Sequence, residues 1–485
     1  MDYQSTRSSA CRADSVTAVL EGIAPDGGLF ITDPSEIAFD WKAALNCSPK
    51  EMSAMILHAL LPDFPDMRGL VEKAYLNKFE TEDLTPTVKV GDRYVLELFR
   101  GPTSAFKDVA LSVLPQLVTA GRAIRGAKDD VVILTATSGD TGKAALEGFH
   151  DVGGTRIVVF YPYKGVSRVQ ELQMSTQKGG NVRVCAVRGN FDDAQTGVKK
   201  VFSACAEMDL GGKSLSSANS INIGRLAPQV MYYFKAYADL VSEGRIKTGD
   251  KVHYVVPTGN FGDILAGWFA KLLGLPVGIL VCASNQNNVL TDFIKTGVYD
   301  KRRDFYKTNS PSMDILVSSN LERLLYLLCK DESYVAGLMQ KLSSEGWYEI
   351  SGELLKKLQS GFAAGCCDDE SSIKTIGDVF RKYDYLIDPH TAVAWNVCDS
   401  FMERFGGEPA VVLSTASPYK FPAACLRALG EEPSDDEFAV MRRLNEISGV
   451  PVPENLAGLE SAEILHTDVI NKEDMLAYVL GYLAG

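Results

Sequence analysis

Short apolar runs alternate with helical stretches along most of this chain, and that alternation constrains the fold more than any other feature. The runs cover 131–136, 157–161, 182–187, 252–256, 277–283 and 410–413. They are rich in Val and Ile with little polar alternation, as parallel strands buried on both faces are. Around them, apolar spacing predicts helices at 107–119, 142–150, 191–208, 225–240, 263–273 and 289–296. Strand–helix alternation of this kind means βαβ units and an open, mainly parallel α/β fold. The runs cluster before and after about residue 245. We therefore expect two α/β lobes flanking a ligand cleft, one over 85–245 and one over 246–300 and 386–485. Residues 1–84 read as an N-terminal extension domain. Residues 301–385 are charged and strand-poor and read as a helical insertion.

Composition narrows the class. A chain of 485 residues has room for about two to four domains. Lys+Arg is 49 against Asp+Glu 62, a net charge of −13. That balance argues against nucleic acid as a partner, but small anions can still be held by local cations and backbone dipoles. The ten cysteines are scattered without Cys-x-x-Cys, and the five histidines show no ligand spacing. No metal site is expected, and reduced cysteines fit a cytoplasmic protein. No apolar run reaches bilayer length, and the first residues lack a signal-peptide core.

In open α/β sheets ligands sit beyond the carboxyl ends of strands. Thr135-Ala-Thr-Ser-Gly-Asp-Thr-Gly142 follows the first run, and Pro257-Thr-Gly-Asn-Phe-Gly-Asp263 follows the fourth. Glycines at such turns permit close backbone approach, and the following helix start offers free N–H groups to an anion. The Gly142-Lys143 pair is not a nucleotide P-loop, because Thr137 and Ala144 stand where that motif needs Gly and Ser or Thr. Lys107, in Arg100-Gly-Pro-Thr-Ser-Ala-Phe-Lys-Asp108, stands at a predicted helix start among small and apolar residues. The helix dipole and partial burial both favour a neutral amine there, fit for Schiff-base chemistry. Ser414-Thr-Ala-Ser-Pro-Tyr-Lys-Phe421, after the last run, brings further hydroxyls to the same end of a sheet.

These segments, in this order, resemble the threonine synthase family, pyridoxal-phosphate enzymes of the tryptophan-synthase-β fold type. The resemblance also rests on Ser5-Thr-Arg7, Ala24-Pro-Asp-Gly-Gly-Leu29, Ser217-Ala-Asn-Ser-Ile-Asn222 and Asp388-Pro-His-Thr-Ala392, and fits the longer form with an N-terminal extension. It implies that Lys107 holds pyridoxal 5'-phosphate covalently and serves as the catalytic base. Gly259, Asn260, Phe261 and Gly262 would cradle the cofactor phosphate, and Thr415 would face the pyridine nitrogen. Asp140 would lie near the cofactor's phenolic oxygen, where shorter relatives carry Asn; an ionised Asp there would repel that oxygen. Thr137, Ser138, Gly139 and Thr141 would form the substrate loop. Asn219 and Ser220 would contact the substrate phosphate, with Lys164 or Arg168 as its cation.

The chain departs from the family pattern at Ser8, at Lys164, which is displaced by one residue, and at Ser417, where His is common. The implied reaction converts O-phospho-L-homoserine and water to L-threonine and phosphate, in a monomer or homodimer. A fold-related lyase such as threonine dehydratase, a β-replacement synthase and a non-catalytic phospho-amino-acid-binding homologue are the alternatives. The 1–84 extension and Asn219-Ser-Ile-Asn222 weigh against the first two, and an intact Lys107 against the third.

Overall fold

A computed structural model describes residues 2–137, 139–205 and 208–484. Two parallel sheets organise it. The five-stranded sheet runs Asp468–Asn471, Val182–Arg188, Thr155–Pro162, Val131–Ala136, Ser214–Ser216, all parallel. The six-stranded sheet runs Phe362–Cys366, Val277–Ser284, Val252–Pro257, Ala410–Ser414, Arg93–Glu97, Thr87–Val90, parallel except for the last pair. Every residue of Val252–Pro257 is buried, which is why that strand carries no polar alternation.

Strand pairing crosses the expected boundaries. Thr87–Glu97 lies in the second sheet rather than in the first lobe, because Arg93–Glu97 pairs with Ala410–Ser414. Asp468–Asn471, expected in the second lobe, adds to the first sheet beside Val182–Arg188. Within 301–385, Phe362–Cys366 is an edge strand of the second sheet. These strands were hidden for physical reasons. Phe-Ala-Ala-Gly-Cys has little β-propensity, and Asp468–Asn471 is mostly exposed, so neither shows a buried apolar run.

The front section builds a small antiparallel sheet from Tyr3–Ser5, Arg12–Ala13 and Phe30–Ile31. Its helix Pro49–Leu60 opens with a Ser48/Glu51 capping box. One continuous apolar core joins this section to both sheets.

Two helices matter most for position, Lys107–Ile124 and Asp140–Phe149. Pro115 lies inside the first and cannot donate to Leu111 O. Gly148 of the second packs on that same carbonyl; a Cβ there would stand 2.0 Å from it. The missing side chain and the missing hydrogen bond together allow a close crossing near the start of the first helix. Among the described residues no helix is long and apolar enough to cross a membrane, and all ten cysteines are unpaired.

Candidate active site

Lys107 begins its helix and is held there by its flanks. Phe106 N–H donates to Thr415 O at 2.9 Å, Ser417 N–H donates to Ser104 O at 3.0 Å, and Ala105 bridges Ala416 in antiparallel fashion. Tyr232 Oη donates to Phe106 O at 2.5 Å. Thus the segment around Thr415 is a strap beside Lys107. Burial lowers the proton affinity of Lys107; Asp140 opposes that, while Lys420 and Arg225 add to it.

Asp140 stands at the start of its helix, and its side chain is 5% exposed. Its Oδ2 is 3.9 Å from Lys107 Nζ and accepts from Ser312 Oγ at 3.2 Å. Its Oδ1 pairs with Lys420 Nζ at 2.9 Å and accepts from Gln170 Nε2 at 3.3 Å. Burial pushes the carboxyl upward, but Lys420 and Lys107 outweigh it and hold Asp140 well below the usual carboxylate range. Asp140 is therefore ionised, and the repulsion expected of an ionised Asp is offset by two lysines.

Lys420 lies in the Ser414–Phe421 segment, where the sequence pattern alone assigns it no role. The signal was present: an Asp in place of Asn at a buried site needs a counter-charge. Ser417, one of the departures, caps the turn Pro418–Lys420 that delivers it. His390 lies beyond. Its Nε2 accepts from Ser312 N–H at 3.2 Å, so its proton sits on Nδ1, 2.6 Å from Asp388 Oδ2.

The loop before Asp140 is shaped by its own polar groups. Thr137 Oγ1 accepts from Gly139 N at 3.0 Å and Gly142 N at 2.9 Å, and donates to Gly139 O at 3.1 Å. That exhausts a hydroxyl's capacity, so Thr137 builds the loop rather than offering substrate a contact. Gly139 has φ 143° and lies against Gln170, where a Cβ would stand 2.3 Å from Nε2. Thr141 is half-buried in the first turn of the helix. Ser138 lies outside the described residues.

The second loop differs in kind. Phe261 takes φ 62°, and the helix Gly262–Leu272 follows. The carbonyls of this loop are occupied: Ser318 Oγ donates to Gly259 O at 2.9 Å, and Asn320 donates to Asn260 O twice at 3.1 Å. No backbone acceptor among the described residues faces the amides of Gly259, Asn260 or Phe261. Those amides and the helix start form a cradle suited to an anion. Asn320 also donates to Ser220 O at 3.2 Å, tying the Asn219–Ser220 loop to this one. Asn219 is exposed and Ser220 half-buried.

Lys164 and Arg168, the cations expected for the substrate phosphate, lie outside the buried cluster. Lys164 is exposed over the Tyr163 ring, and Arg168 is exposed and pairs with Glu171 at 2.9 Å. Neither joins the buried cluster; that segment reaches it through Gln170. Instead Arg225, 3% exposed, contributes the charge. Its Nη1 donates to Ala218 O at 2.6 Å, its Nε has no partner among the described residues, and no carboxylate pairs with it. Burial draws its proton affinity down to about 10. Sequence pattern gave no hint, since one Arg in a helix is ordinarily a surface charge.

The front section is wired to this site. Arg7 binds Glu322 through two 2.8 Å hydrogen bonds, and Thr6 Oγ1 donates to the same carboxylate. Next door, Arg323 donates to Phe30 O at 3.0 Å and to Asn320 Oδ1 at 2.5 Å. Ser5-Thr-Arg7 thus supports the helix Leu321–Cys329, which follows the asparagine spanning the two loops.

Fold and site define a two-sheet α/β protein with a buried amine–carboxylate–amine cluster joined through Ser312 to a glycine-loop amide cradle. Residues 2–75 match the family described as threonine synthase N terminus, and residues 391–478 the one described as threonine synthase, C-terminal. The human protein threonine synthase-like 1 is 40% identical over 434 residues, covering 85% of this chain. The chain spans only 57% of that relative's length. Threonine synthase of Methylobacillus glycogenes is 37% identical, covering 89% of this chain and 93% of that protein. The structure of PLP-bound threonine synthase from Brucella melitensis superposes with a TM-score of 0.87 at 38% identity, covering 100% of this chain and 98% of that one. The chain belongs to the threonine synthase family.

Proposed function

We propose that this chain is a pyridoxal-phosphate-dependent lyase converting O-phospho-L-homoserine and water to L-threonine and phosphate, the last step of threonine biosynthesis, in the cytoplasm. The observation that carries the reading is Lys107: a buried amine with lowered proton affinity, 3.9 Å from an ionised Asp140.

The residues fit the cofactor. The free amides at 259–261 and the adjoining helix start suit its phosphate, and Gly259 is tight: a Cβ would stand 3.0 Å from Ser312 O. Thr415, buried at the strap, would offer a neutral hydroxyl to the ring nitrogen. When bound, pyridoxal phosphate supplies an electron sink for bonds broken beside the substrate amine.

The chain's own groups would do the rest. Lys107, with its proton affinity lowered, takes a proton at the substrate α-carbon and returns it. Arg225 draws the substrate phosphate, with Asn219 and Ser220 beside it, and stabilises the charge that grows as phosphate leaves. Gly139, Thr141 and Ser138 receive the substrate carboxylate at the start of Asp140–Phe149.

The test is product analysis. Protein loaded with pyridoxal phosphate is given O-phospho-L-homoserine, and phosphate and threonine are measured together. Equal release supports the reading. Release of 2-oxobutanoate from threonine, without phosphate release from the phospho-substrate, would replace it with a dehydratase.

A further inference from the structure

Asp140 is shared between two lysines, and the division is unequal. Lys420 has a side chain with no exposure, hydrogen-bonds Oδ1 at 2.9 Å and donates also to Thr103 O at 3.0 Å. Lys107 stands 3.9 Å from Oδ2, beyond hydrogen-bond range. Other charges in range of Lys107 are Arg225 and Asp108. Asp108 is itself pushed up to about 6 by burial, with Thr103 donating to both its oxygens. His390 donates its Nδ1 proton to Asp388, its Nε2 accepts from Ser312 N–H, and it acts on Asp140 more weakly than the two lysines do.

A buried carboxylate with one lysine partner holds that lysine charged, because loss of the proton would leave an uncompensated anion. Such a lysine makes a poor base. We propose that Lys420 is a positioning residue for Lys107: as the standing counter-ion of Asp140, it lets Lys107 release its proton without stranding a buried carboxylate. With both lysines protonated the trio carries one net positive charge; when Lys107 is neutral, Asp140 and Lys420 remain a balanced pair. Lys420 holds the shorter bond to Asp140, while Lys107 stands beyond hydrogen-bond range. This deepens the reading above and rests on Lys107 being the reactive amine there.

The test follows the proton on Lys107. The rate at which the full chain captures pyridoxal phosphate, read by visible absorbance, is measured across pH, and its midpoint reports the amine. Lys420→Gln should raise the midpoint by about one pH unit, Asp140→Asn should lower it, and the double variant should return it close to that of the unmodified chain. An unmoved or lowered midpoint in Lys420→Gln would overturn the proposal. If Lys420→Gln alone does not fold, the double variant is compared with Asp140→Asn, where the added change must still raise the midpoint. Should the unmodified chain capture no pyridoxal phosphate, the lyase reading fails instead. The midpoint is then read from reductive methylation of Lys107 by formaldehyde with cyanoborohydride as the hydride donor, which needs no cofactor.

Discussion

Asp140 and Asp263 occupy the same place in two parts of the molecule. Each follows a glycine-bearing loop at the carboxyl end of a buried parallel strand, and each lies in the first turn of the next helix. Both are buried. Asp140 has two lysines and is driven below the usual carboxylate range. Asp263 has only Tyr233, whose hydroxyl donates to Oδ1 at 3.0 Å, and its Oδ2 has no partner among the described residues. Burial therefore prevails there and pushes the carboxyl up to about 7. One backbone device has been used twice, and distant partners decide its chemistry. The first loop handles charge beside a reactive amine. The second keeps its carboxyl largely neutral at mild acidity, so it does not oppose a phosphate in the amide cradle.

The sharpest way to break this contrast is to remove the amine from the first loop. Lys107→Ala should reduce turnover of the phospho-substrate by at least about 10³-fold and abolish the visible absorbance of a lysine-bound cofactor. Turnover within tenfold of the unmodified chain would mean that the charged loop is not where the chemistry occurs. Arg225→Gln should come next. It should cost about 10²-fold in kcat/KM, about 2.7 kcal/mol, while leaving cofactor absorbance intact. An equal loss in cofactor affinity would place Arg225 with the cradle instead.

The contrast also marks what the sequence could show. Both loops were legible because strand–glycine–helix is a local pattern, as were Lys107 at its helix start and the parallel strands of the core. The partners were not. Lys420 meets Asp140 across 280 positions of chain (420 − 140), and Ser312 across 172. Such contacts arise from topology, which no local periodicity reveals. The family pattern points to Lys164 and Arg168, and the structure leaves both exposed. It does not point to Arg225, because a buried unpaired guanidinium is recognised only once its surroundings are known.

Within the second loop the glycines should differ. A methyl on Gly259 would press on backbone atoms, Ser312 O at 3.0 Å and Met313 Cα at 3.2 Å, which cannot swing aside. One on Gly262 would meet only side-chain atoms, at 3.6 and 3.9 Å. Gly259→Ala should therefore weaken pyridoxal phosphate binding about tenfold and Gly262→Ala about two- to threefold, by equilibrium titration. The reverse order would show that the cradle is held by the helix start rather than by the loop.

The smallest effect on turnover should come from Asp263, and its signature is stability against pH. Its folded value, about 7, lies above the unfolded value near 3.8. A group raised in this way stabilises fully below pH 4, and its contribution is lost as pH rises through 7. Asp140 has the opposite sign: its contribution is present above pH 4 and lost as pH falls toward its depressed folded value. Asp263→Asn keeps an acceptor for Tyr233 and removes the charge. At pH 4 it should come close to the unmodified chain in urea unfolding; at pH 8 it should be more stable by about 1–3 kcal/mol, with turnover changed less than about twofold. A stability difference that is the same at both pH values would mean that Asp263 is not a carboxyl left unpaired by the fold. The two loops would then be alike in charge as well as in backbone.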